Sequence, residues 1–158
     1  TTDAKQAYEW MMQTFADADT IVDRAQAGLD TLAAQPEVNA DQLAAIGFCY
    51  GGGMVNQLAV NFKNISAAVS YYGPQADLKD VPKIQSPLML HYAEFDERIN
   101  KGWPDFETSL KENKKNYIIH YYKGVNHAFH NDTTPRYDKA AAELSWKRSM
   151  DFFKKYLA

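Results

Sequence analysis

The sequence predicts an α/β fold of about four mainly parallel strands with helices on both faces. Two observations predict it. Four short apolar runs, 43–48, 67–72, 87–92 and 117–122, read as strands, and the first lacks the in–out alternation of a half-solvated sheet. They are also interleaved with segments of helical periodicity, the pattern of a parallel sheet whose crossovers cover it.

From Asp3 the apolar residues Ala4, Ala7, Tyr8, Met11, Met12 and Phe15 recur at helical spacing behind an Asp3 or Thr2 cap. Tyr8, Met11 and Met12 are expected to form a core stripe. A second helix is expected over 20–34, with Ile21, Ala25, Leu29 and Leu32 on one face, ended by Gln35-Pro36. Gly51-Gly52-Gly53 opens a third that continues through Met54, Val55, Leu58, Ala59 and Val60. A modest helix lies over 103–113. The last runs over 136–156 and is expected to bury Ala140, Leu144, Trp146, Met150 and Phe153 in some combination.

Composition bounds the function. With 158 residues, 46% apolar and 23% charged, the chain reads as one domain, 1–158, or one continuous part of a domain. No run approaches the ~20 apolar residues of a membrane span. The net charge of -3 and the lack of a Lys/Arg block argue against nucleic acid as a partner. The first residues lack the layout of a signal peptide, any such peptide would lie outside this chain, and a cytoplasmic location is expected. The single cysteine excludes an internal disulfide.

That cysteine stands in Gly47-Phe48-Cys49-Tyr50-Gly51-Gly52, where a buried strand turns into a helix. A nucleophile on so sharp a turn sits in a strained backbone, and small residues two before and two after it let strand and helix approach. The turn aims the backbone N–H of Tyr50 at the site, and the helix N-terminus favours negative charge on the sulfur. The bland reading is a glycine-rich turn around a buried cysteine.

Two further loops favour the chemical reading. Ala93-Glu94-Phe95-Asp96-Glu97-Arg98-Ile99 follows the third strand, and Gly124-Val125-Asn126-His127-Ala128-Phe129 follows the fourth. In open parallel sheets ligands bind beyond the carboxyl ends of the strands, where three such loops converge. Nucleophile, acid and histidine in that chain order are expected of α/β-hydrolases. Glu94, Glu97 and Asp132 compete with Asp96 for the acid. His91 and His120 lie within strands and read as structural, and His130 could form only an isolated His-x-x-His pair with His127.

These segments, with Asn126-His127-Ala128-Phe129-His130-Asn131-Asp132 and the tail from Arg136 to Arg148, resemble the dienelactone hydrolase (carboxymethylenebutenolidase) family over roughly residues 21–157. The resemblance implies Cys49 as nucleophile, Asp96 as acid and His127 as base, with the Tyr50 N–H as an oxyanion donor. It implies hydrolysis of a small-molecule ester or lactone through a thioester, with no cofactor and no metal. The fold it implies is a partial α/β-hydrolase, because the strands that precede the elbow in the family are absent from this chain. With them go a second oxyanion donor and a glutamate that contacts the resting cysteine. The elbow strand should then be a sheet edge, paired in the functional protein with the N-terminal half or with another chain. The alternative is a non-catalytic half-domain serving association or ligand binding. The family's arginine clamp for a substrate carboxylate is also unmatched: Asn131 and Asp132 follow the histidine, and the nearest cations are Arg98, Lys101 and Arg136.

Overall fold

A computed structural model describes residues 1–158, the side chains at 15, 16, 18 and 19 excepted. The backbone divides into two compact units, 1–38 and 39–158. The first holds helices α1 (Ala4–Ala16) and α2 (Ala18–Ala33), capped by Asp3 and Asp17, whose carboxylates accept N–H bonds from Gln6 and Thr20. The expected core stripe of α1 is not buried: Tyr8 is 60% exposed, and Met11 and Met12 are also open. A pair of helices has no second layer in which to bury both faces. Phe15, placed in the same stripe, lies outside the described side chains.

The second unit is an α/β sheet of strands β1 (Leu43–Phe48), β2 (Ile65–Tyr71), β3 (Leu88–Ala93) and β4 (Tyr117–Tyr122). They are parallel and lie in the order β1-β2-β3-β4. Helix α3 (Tyr50–Asn61) follows β1, the short α4 (Glu97–Asn100) and α5 (Trp103–Glu112) join β3 to β4, and α6 (Lys139–Tyr156) closes the chain. Adjacent residues of a strand point to opposite faces. Ser70 accordingly donates to the Gly52 carbonyl of α3 at 2.9 Å, while its neighbour Tyr71 meets Ser149 of α6 at 2.7 Å. The two helices therefore cover opposite faces of the sheet. As expected, β1 is an edge, and its Ile46 and Phe48 are exposed.

The buried face of α6 differs from the expectation. Ala141, Ala142, Ser145, Ser149 and Phe152 turn inward, whereas Leu144 and Trp146 are 45% and 44% exposed. The surface beneath explains the exchange. Tyr71, His91 and His120 lie side by side across β2, β3 and β4, and their polar atoms need partners on the helix.

Those bonds have one consistent direction. Ser149 has a single proton, which goes to the Ser145 carbonyl at 3.0 Å. Its oxygen therefore accepts from Tyr71 and from His91 Nε2, 3.0 Å away. His91 Nδ1 must then accept from the Tyr122 hydroxyl at 2.9 Å, and that oxygen accepts from Arg148 at 3.2 Å. His91 is neutral, fully buried and locked as the Nε2–H tautomer.

Burial holds His91 well below the usual imidazole value, aided by the nearby His120 and Arg148 charges, and burial followed by Arg148 brings His120 to about 4. Both bind fewer protons folded than unfolded, so their contribution is complete above about 6.5 and lost as pH falls toward 4. Lowering pH from 7 to 5 should reduce the urea unfolding free energy. The His120 share is on the order of 1 kcal/mol, because that partly exposed ring is screened by solvent. His120→Gln should make the acid limb shallower by that amount. An unchanged limb would exclude His120 as a contributor.

Candidate active site

Cys49 occupies the junction of β1 and α3 with φ 55° and ψ -117°, a conformation that costs a non-glycine residue on the order of 1–3 kcal/mol. Bonds on both sides hold it there. Its N–H donates to the Tyr71 carbonyl at 3.0 Å, and its carbonyl accepts from Gly53 at 3.2 Å. The close packing expected around the elbow is present but partly displaced. A β-carbon on Gly47 would lie 2.1 Å from the Gly51 carbonyl oxygen, and one on Gly52 would lie 2.6 Å from that of Tyr71. Gly51 itself faces open space, so the second required glycine is one position later than expected. Tyr50 is the first residue of α3.

Asp96 is buried just beyond β3. The Glu94-Phe95 turn delivers it as the cap of α4, where Oδ1 accepts from the Ile99 N–H at 3.4 Å. Asn100 stiffens that turn by donating to the carbonyls of Ala93 and Glu94 at 2.8 and 3.3 Å. His127 lies on the loop after β4, anchored by the buried Val125, Ala128 and Phe129. The two loops are tied together by the Phe95 N–H donating to the Val125 carbonyl at 3.0 Å.

His127 Nδ1 lies 2.5 Å from Asp96 Oδ2, and its Nε2 lies 3.1 Å from Cys49 Sγ. A carboxylate only accepts, so Nδ1 is the donor, and in a neutral imidazole Nε2 then carries the lone pair that faces Sγ. The rival carboxylates are elsewhere. Glu94 accepts from the Gly124 N–H at 2.7 Å, Glu97 is exposed, and Asp132 lies beyond reach of a bond to His127. Among the described residues no group of three metal-ligating side chains forms around His127 and His130.

A cleft of about 410 Å³ opens on Cys49, lined by the apolar Phe48 and Ala128 and by Tyr72, His130, Asn131 and Asp132. Tyr72 was missed as a site residue by the sequence reading. It has φ 38°, is buried, and packs its ring 4.9 Å from that of His127. Burial, and then the Cys49 charge, push its phenol far up, so it is a neutral wall. Its position directly beyond β2, level with the other strand ends, was the available signal.

A cysteine on a sharp strand–helix elbow, a carboxylate and a histidine, at the carboxyl ends of β1, β3 and β4, sit on an α/β-hydrolase fold. Residues 1–157 match the dienelactone hydrolase family, and the chain belongs to that family. A protein of Saccharolobus solfataricus, assigned by inference as a carboxymethylenebutenolidase, is 35% identical over 116 residues, covering 72% of this chain and 44% of that protein. A Bradyrhizobium protein, assigned by inference as a 2-oxo-3-(5-oxofuran-2-ylidene)propanoate lactonase, is 28% identical over 132 residues, covering 76% and 53%. Among solved structures, a dienelactone hydrolase-like promiscuous phosphotriesterase from metagenomic libraries superposes with a TM-score of 0.82 at 28% identity, covering 98% of this chain and 69% of that one. The chain thus spans about half the length of the curated relatives it matches. No helix among the described residues is long and apolar enough to cross a membrane.

Proposed function

We propose that this chain carries the nucleophile half of a carboxylic ester or lactone hydrolase, acting through Cys49, His127 and Asp96. The continuous contact from Asp96 Oδ2 through the imidazole to Cys49 Sγ, at 2.5 and 3.1 Å, supports this reading. His127 Nε2 takes the thiol proton as Sγ attacks the carbonyl carbon, and Asp96 stabilises the imidazolium. The developing oxyanion is met by the Tyr50 N–H, such a donor being worth about 3 kcal/mol in the transition state. Collapse of the adduct breaks the ester C–O bond, and His127 returns its proton to the leaving oxygen. The thioester remains. Water, deprotonated by His127, then attacks it, releasing a carboxylic acid and restoring the thiol. No step requires a cofactor.

The open edge of β1 completes the proposal. A further strand from the N-terminal half of the protein, or from another chain, pairs there and brings the second oxyanion donor. In p-nitrophenyl acetate assays, the chain fused to the upstream half of the Saccharolobus relative should exceed the 158-residue chain alone. Cys49→Ala should return the fusion to background. Equal rates with and without the Cys49 sulfur would refute the hydrolase reading.

A further inference from the structure

Among the described residues, no lysine or arginine lines the cleft beside Cys49. The one carboxylate among the described residues that line it is Asp132, which makes no hydrogen bond or ion pair among the described residues. Burial keeps His130 below the usual imidazole value and holds the Tyr72 phenol up, so both are neutral there. Arg136 is exposed and outside the lining, though its charge reaches the Tyr72 phenol.

Through His130 and Asp132 the cleft continues into a second groove of about 410 Å³, walled by Tyr137, Glu143 and Trp146. The two aromatic side chains are 39% and 44% exposed. Glu143 is held at the rim by Lys139, 3.7 Å away. Aromatic faces attract cations through their quadrupole, and a nearby unpaired carboxylate adds to that attraction.

We propose that this groove is a subsite for a positively charged group on the non-reacting end of the substrate, with Asp132 as the specificity-determining residue. The subsite would select ammonium-bearing or neutral esters over carboxylated ones. The substrate preference rests on the hydrolase reading above, whereas the cation site can be tested without it.

Two measurements separate the claims. The first compares kcat/KM for p-nitrophenyl butyrate, p-nitrophenyl hemisuccinate and p-nitrophenyl 4-(trimethylammonio)butyrate. The cationic ester should exceed the anionic one by about tenfold at low salt, and Asp132→Asn should shrink that ratio about three- to tenfold. A ratio near one, or one unmoved by Asp132→Asn, would overturn the assignment. The second titrates the Cys49→Ala chain with phenyltrimethylammonium and with phenylacetate, following the Trp146 indole resonance by NMR. Saturable binding of the cation, weakened about threefold or more by Asp132→Asn and absent for phenylacetate, is expected. Lack of Cys49-dependent turnover of all three esters by the fusion with the upstream half would sink the hydrolase reading while leaving the cation titration to judge the groove. Absence of cation binding there would sink the groove even if esters are cleaved.

Discussion

Asp96→Asn should lower turnover on the order of 10³-fold while leaving the fold intact. The amide would present an N–H to His127 Nδ1, which now donates to Asp96 Oδ2 at 2.5 Å. To accept that bond the imidazole must move its proton to Nε2, where it points at Cys49 Sγ and cannot receive the thiol proton. An asparagine oxygen can still accept from the Ile99 N–H, so the cap of α4 survives. The loss should therefore fall on kcat, with unchanged circular dichroism and urea midpoint. A variant retaining a tenth or more of the parent rate would show that Asp96 does not set the tautomer.

The second large effect is structural and needs no activity. Gly47→Ala places a methyl group 2.1 Å from the Gly51 carbonyl oxygen, a backbone atom with no rotamer through which to escape. Either β1 or the first turn of α3 must move, at a cost of about 3 kcal/mol or more in urea unfolding. Gly51→Ala is the internal control. That position is helical and faces open space, so the same change should stabilise by about 0.5–1 kcal/mol. Similar midpoints for both variants would contradict the packing described for the elbow.

The sheet was legible because its strands are short, apolar and continuous. Runs 43–48 and 117–122 coincide with β1 and β4, while β2 and β3 begin or end one or two residues from the expected limits. The order of the three site loops was legible for the same reason, since each follows a strand. Asp96 was harder to separate from Glu94 and Glu97. What distinguishes it is a turn that spends Glu94 on the Gly124 amide and delivers Asp96 as a helix cap, facts of backbone path and not of residue type. The inner face of α6 was misread because periodicity weighs apolar side chains. Here the sheet asks for hydroxyls, and Ser145 and Ser149 go inward in place of Leu144 and Trp146. The stripe of Tyr8, Met11 and Met12 shows the converse: an amphipathic pattern describes a helix, and burial depends on what is there to cover it.

The order of the strands also ranks the joints of the site by how readily they come apart. Asp96 is reached through β3, which has a neighbour on each side, and its loop is cross-linked to that of His127. Cys49 hangs from β1, which has one neighbour and whose ladder ends at the sulfur's own residue. Local opening of that ladder carries the sulfur away while the imidazole and carboxylate stay together. The 3.1 Å contact is therefore expected to lengthen before the Asp96–His127 bond. A strand docked on β1, as proposed above, would set the fraction of time the thiol spends within reach of the imidazole.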